Sequence, residues 1–187
     1  MRRMLQELTD VVHHGAMKVI TDFSYEYTGI GNDQFGSGFY FTSDIETAKG
    51  YGRIVHSAHL DLNNPLLVDP RTNESKRGID ATYTMVEQLI LKAPNYQEYL
   101  MNFGDVEYEG EGVVLESAIE AYTGGDIVPN ILFSLANDFY DDEIELFNNN
   151  FLKVTGYDSV EIDFGYSTHY VVFFPHQIKL INIEDFS

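Results

Sequence analysis

The sequence predicts an α+β fold, with strands at both ends of the chain and helices between them. Short apolar or period-two runs gather before residue 70 and after residue 158, whereas apolar residues at i, i+3, i+4, i+7 fill the stretch between. No internal repeat and no Pro/Gly/Ser linker divides the chain, and 187 residues suit one domain, 1–187, with its own core.

Val11 to His14 is the first β-rich run. Gly38 to Thr42 is the second, with Phe39 and Phe41 on one face and Tyr40 and Thr42 on the other. Ser43 or Asp44 is placed to cap a short helix reaching Tyr51. Val55 to Asp61 and Leu66 to Asp69 read as strands around the turn Asn63-Asn64-Pro65. Val86, Leu89, Ile90 and Ala93 form a helical stripe ending at Pro94, and Leu115, Ala118, Ile119 and Tyr122 form another before Gly124. A third helix is expected to start near Pro129, with Leu132, Leu135, Ala136 and Phe139 inward, and to run until Gly156. Ser159 to Phe164, Thr168 to Phe174 and Ile178 to Ile183 close the chain as strands.

Composition excludes several functions. Eleven Lys plus Arg against 30 Asp plus Glu give a net charge of −19, the wrong sign for a phosphate-backbone binder, so direct nucleic-acid binding is not expected. Apolar residues at 44 % and aromatics at 14 % are too many for a disordered acidic tail. The absence of cysteine removes disulfides, thiolate metal sites and a cysteine nucleophile. The N-terminus lacks an apolar stretch of signal-peptide length, and the longest apolar run, Tyr170 to Pro175, is far short of the roughly 20 residues that span a bilayer. A cytoplasmic protein without a membrane role is the expectation. The charge is uneven: residues 105–163 hold fifteen acids and one base, Lys153, whereas residues 1–104 hold thirteen acids and nine bases. Anion chemistry belongs in the first half.

Three constellations could carry chemistry. His14-Gly15 offers an imidazole beside an unobstructed backbone amide and carbonyl, suited to a carboxamide, although His14 reads equally as a structural histidine. His13 points to the opposite side of the strand. Gly29 to Gly38 is glycine-rich, yet a strand follows it where a dinucleotide fingerprint requires a helix, so that motif fails, and a flexible loop is the other reading. Tyr40 and Tyr51, eleven residues apart, could sandwich a flat heterocycle if the short helix returns Tyr51 toward the strand. A metal site is rejected, because His56 and His59 fall on opposite sides of a strand. A serine hydrolase is unsupported without Gly-x-Ser-x-Gly.

His14-Gly15, Gly36-Ser-Gly38-Phe39-Tyr40-Phe41, Ala48 with Tyr51, and the run from Tyr170 to Lys179 together resemble the ADP-ribosyltransferases of the histidine-tyrosine-glutamate type. That group includes poly(ADP-ribose) polymerases and diphtheria toxin; the likeness is greatest to the domains of phage and mobile-element polyvalent proteins. It covers residues 11–61 and 151–183. The resemblance implies a split β-sheet interrupted by a helical insertion, about 76–153, with NAD as co-substrate in its cleft and no metal. By the same resemblance Gly15 holds the nicotinamide carboxamide, His14 the adenosine ribose, and Tyr40 with Tyr51 stack on nicotinamide. Gly38 and the preceding glycines let the backbone approach the dinucleotide, and Arg53 is a pyrophosphate partner, or an ordinary surface arginine.

One motif position departs from the family. Where its glutamate would precede Tyr170, this chain has His169. A carboxylate there holds a ribose hydroxyl and stabilises oxocarbenium-like charge; a neutral imidazole does only the first. His169 then does a reduced job, or Glu161 and Asp163 on the neighbouring strand supply the carboxylate, or the protein binds NAD without turnover. Glu161 and Asp163 also read as a solvated strand face. The expected function is NAD-dependent mono-ADP-ribosylation of a host protein, in the host cytoplasm if phage-encoded, with His14, Tyr40 and His169 as catalytic residues. The alternatives are an inactive NAD- or ADP-ribose-binding member and a non-enzymatic acidic decoy that imitates nucleic acid.

Overall fold

The computed structural model describes residues 9–27, 36–70, 82–94, 96–123, 128–141 and 143–187. Among the described residues the seven strands are β1 Val12–Ala16, β2 Phe39–Thr42, β3 Ile54–Leu60, β4 Pro65–Val68, β5 Ser159–Asp163, β6 Thr168–Val172 and β7 Ile178–Asp185. The helices are α1 Ile45–Tyr51, α2 Tyr83–Leu91, α3 Tyr96–Leu100, α4 Val106–Glu109, α5 Glu111–Thr123, α6 Val128–Tyr140 and α7 Ile144–Thr155. This is the α+β class the sequence predicts.

All the strands join one sheet in the order β4-β5-β6-β2-β1-β3-β7. Every neighbouring pair is antiparallel except β4 and β5, whose parallel pairing needs the long crossover that α2 to α7 supply. At the centre the ladder nearly breaks. β1 and β2 share one register position, His13 with Thr42, whereas β1 pairs with β3 along its whole length and β2 with β6 from Phe39 to Thr42. The sheet is therefore split into β4-β5-β6-β2 and β1-β3-β7, hinged at His13 and Thr42.

Period two sorts the side chains into two cores. Leu66, Val68, Val160, Ile162 and Val171 face the helical layer, where Leu89, Ile119, Leu135, Phe139, Phe147 and Phe151 cover them. Val12, Phe39, Phe41, Ala58, Leu60 and Val172 face the other way and close on Phe23. Each fully buried Leu or Phe contributes roughly 1.5–3 kcal/mol.

The predicted third helix is two helices. α6 ends at Tyr140, Asp141 takes a positive φ of 49°, and the Glu143 amide closes a turn on the Tyr140 carbonyl at 2.8 Å before α7 begins. Tyr140 is completely buried, its hydroxyl donating to the Leu89 carbonyl at 2.7 Å, so the chain must turn beyond it. The corner places Asp141 and Glu143 in solvent. α7 ends as expected at Gly156, in the left-handed region at φ 82°. No helix among the described residues is long and apolar enough to cross a membrane.

Candidate active site

The hinge of the split sheet gathers the candidate residues. Thr42 pairs with His13 on one side and with His169 on the other. Residues directly opposite in a ladder share a face, as do residues two apart on a strand, so His13, Thr42, His169 and Tyr40 all lie on the face that carries the helices. Tyr40 packs against the helical core, and its hydroxyl donates to the Gly36 carbonyl at 2.6 Å.

Gly15, two residues beyond His13, belongs to the same face, and α1 lies directly on it. A Cβ at Gly15 would stand 1.8 Å from the Ala48 carbonyl oxygen, and one at Gly52 would stand 2.2 Å from the Ala16 carbonyl carbon. Only glycine at both positions lets α1 seat against β1. Asp44 caps this helix, its Oδ2 accepting from the Thr47 amide at 2.8 Å and the Thr47 hydroxyl at 2.6 Å. At the far end Tyr51 is 71 % exposed.

His169 rests its ring against Phe164, with centroids 4.7 Å apart. Its Nε2 is buried and has no hydrogen-bond partner among the described residues. Burial pushes the imidazole below its ordinary pKa, and the Asp44 carboxylate partly opposes that shift, leaving a neutral ring at pH 7. His13 is lowered by burial in the same way, against Asp44 and Glu184, and its Nδ1 meets the Ser57 hydroxyl at 3.0 Å.

His14 points to the other face, among Phe23, Phe41 and His56 at 5.4–5.8 Å. Its Nδ1 donates to the Tyr40 carbonyl at 2.7 Å, across the point where β1 leaves β2. Burial lowers its pKa, so the neutral ring carries its proton on Nδ1 and keeps Nε2 as an acceptor.

The remaining candidates are dispersed. Gly38 is pressed against β6, where a Cβ would stand 2.6 Å from the Val172 carbonyl oxygen. Arg53 stands with its Nε 3.8 Å from Asp185 Oδ1, in a pair about half exposed at the sheet edge. Gly29 and Gly31 lie outside the described residues. Glu161 and Asp163 do not stand beside His169. They flank Ile162, its register partner, and therefore point to the face that carries His14. Burial raises the Glu161 pKa, Asp163 adding to the effect, while Asp163 itself accepts the Gly165 amide at 2.7 Å.

Sequence reasoning missed His13 as a member of this face, and missed that the Asp44 charge reaches both His13 and His169. Alternation separates His13 from His14 correctly, but only the register shows which of them shares a face with Tyr40. Asp44 reads from sequence as a cap and nothing more.

A family model described as "ADP-Ribosyltransferase in polyvalent proteins" matches residues 9–187. The chain belongs to this family. As an ADP-ribosyltransferase-type domain it has NAD as its implied donor substrate. The residues fit such a ligand, because a buried imidazole nitrogen with no partner among the described residues stands on one face with Tyr40, where a ribose hydroxyl can hydrogen-bond to it. No curated protein matches the chain. A solved structure described as "Crystal structure of an anti-CRISPR protein" is similar to this chain at 15 % identity and a TM-score of 0.38, over 95 % of this chain and 99 % of that one.

Proposed function

We propose that this chain is an NAD-dependent mono-ADP-ribosyltransferase that modifies a host protein, acting in the host cytoplasm as an effector of a phage or another mobile element. The bond between nicotinamide and the ribose C1 breaks, nicotinamide leaves with the electron pair, and an acceptor side chain bonds to C1 and loses its proton. In this reading Tyr40 and Tyr51 hold nicotinamide between their rings, the Gly15 backbone holds its carboxamide, and His14 Nε2 accepts from the adenosine ribose. Gly38 lets the chain approach the dinucleotide, and Arg53 leaves Asp185 to meet pyrophosphate. Glu161 and Asp163, on the face of His14 rather than that of His169, serve the acceptor side.

The observation that carries this reading is the orphaned Nε2 of His169, on one face with Tyr40. A buried ring nitrogen without a partner costs about 1–3 kcal/mol, and a hydrogen bond with a ribose hydroxyl, which can donate or accept, would remove that cost. Single transfer is favoured over chain growth because the family position that carries glutamate is histidine here.

The test is to incubate the purified protein with NAD and host lysate, and to follow nicotinamide release and ADP-ribose adducts by mass spectrometry beside Tyr40→Ala. Adducts that disappear in Tyr40→Ala support the assignment, and adducts that persist overturn it. NAD binding without release identifies an inactive binding member. No binding leaves the acidic decoy, whose activity would depend on the charges of residues 105–163.

A further inference from the structure

With Glu161 and Asp163 turned away from His169, the face that carries Tyr40 still needs a source of negative charge. The β2–β6 pairing continues one residue past the ladder: the Ser43 amide donates to the Thr168 carbonyl at 2.9 Å, and the Thr168 amide to the Ser43 hydroxyl at 2.9 Å. This double tie carries Asp44 to the end of the sheet where His169 lies. The Asp44 amide bonds the Thr42 hydroxyl at 3.2 Å, and Thr42 is the residue that His13 and His169 flank. We propose that Asp44 is the carboxylate of this site, a positioning residue that works with His169: the imidazole holds the ribose hydroxyl, and Asp44 supplies the negative charge that the family's glutamate would bring. The inference rests on the transferase reading above.

The surroundings suit the role. The Thr47 hydroxyl and amide, with the Glu46 amide, hold the Asp44 carboxyl below its usual range, so it stays ionised throughout the neutral region. Its charge acts on His169 from β6 and on His13 from β1, the latter also feeling Glu184 from β7. Glu46, on the same helix, is ion-paired with Lys49 at 2.6 Å. The arrangement divides between two side chains what one glutamate does elsewhere in the family. A hydroxyl acceptor is placed by packing, and a charge is placed by a helix cap.

The test uses Asp44→Asn and Asp44→Ser, both of which keep a side-chain acceptor for the Thr47 amide and so keep α1 capped. Two readouts are taken on the full chain: the titration of His169 by imidazole NMR without NAD, and kcat and KM for nicotinamide release. The expected results are a His169 midpoint displaced to lower pH and a kcat lowered on the order of 10- to 100-fold with KM changed far less. That loss is smaller than the roughly 10²- to 10³-fold of a fully preorganised group, because Asp44 is partly solvated. His13→Gln beside Asp44→Asn should leave the effect on His169 in place. A kcat equal to that of the unaltered protein, or a His169 titration that does not move, overturns the proposal. An unaltered protein that releases no nicotinamide, while Asp44→Asn still moves His169, overturns the transferase reading and leaves the pairing of the two side chains standing.

Discussion

His14 donates from Nδ1 to the Tyr40 carbonyl at 2.7 Å, across the gap that opens where β1 and β2 stop pairing. The bond replaces a ladder hydrogen bond with a side-chain one, so the strands can part without leaving that carbonyl bare. It also fixes the tautomer, leaving Nε2 as the acceptor. His14→Ala should therefore cost about 1–3 kcal/mol of stability, measured by urea unfolding, through a lost buried hydrogen bond and lost ring packing. His14→Asn, which can still donate at shorter reach, should recover part of that loss. Equal stability of His14→Ala and the unaltered protein would show that the bond does not hold the split sheet.

Acid should weaken this fold earlier than its carboxylates alone would cause. His13, His14, His56 and His169 all have pKa values lowered by burial. Between those lowered values and the ordinary value of about 6.5, the unfolded chain binds more protons than the folded one, so stability is full above 6.5 and is lost as pH falls below it. His56 gives the effect a structural form. Its Nε2 accepts the Ile20 amide at 2.8 Å and its Nδ1 donates to the His14 carbonyl at 3.3 Å, an arrangement only the neutral ring can make. Urea midpoints should fall between pH 7.5 and 5.5, and His56→Gln should make that fall shallower. A slope of zero across this range would contradict the neutral assignments.

Asn148 ties the helical layer to both strands of the site. Completely buried on α7, its side-chain amide donates to the Ser37 carbonyl at 3.0 Å, ahead of β2, and to the Phe173 carbonyl at 3.3 Å, just past β6. Tyr40 and His169 are thus positioned by one amide from outside the sheet. Asn148→Ala should cost about 1–3 kcal/mol by leaving buried carbonyls without a donor. Asn148→Asp should cost more, because it brings a charge among carbonyl oxygens, and should regain stability as pH falls toward carboxyl protonation. Thermal unfolding of the two variants at pH 7 and pH 5 checks the order.

The strands and the site's raw material were legible in the sequence because their signals are local. Period two separates Phe39 and Phe41 from Tyr40 and Thr42, Asp44 announces a helix start, and Gly156 announces a helix end. What was not legible depends on long-range register. Nothing in the sequence says that Thr42 pairs with both His13 and His169, and that pairing decides which of two adjacent histidines joins Tyr40 and which face Glu161 and Asp163 take. The break between α6 and α7 was hidden for a related reason. The apolar stripe continues through Phe139 to Ile144 and Phe147, and what turns the chain is the seat of Tyr140 beneath α2.

Restoring the family's glutamate tests the whole arrangement at once. In His169→Glu the new carboxylate would occupy the position that shares a face with Tyr40 and would supply both the hydroxyl acceptor and the charge. If the transferase reading holds, nicotinamide release should rise by up to roughly 10²-fold, the scale of one preorganised electrostatic group. It would also stand near Asp44, and like charges at short range oppose each other's ionisation. In the His169→Glu background, then, Asp44→Asn should no longer slow the reaction and should speed it slightly. The coupling is read from a double-mutant cycle on kcat, in which independent residues would give additive effects. Additivity would mean that Asp44 and residue 169 act separately. A reversal of sign for Asp44→Asn between the two backgrounds would show that one charge is needed on this face, and that a second is a hindrance.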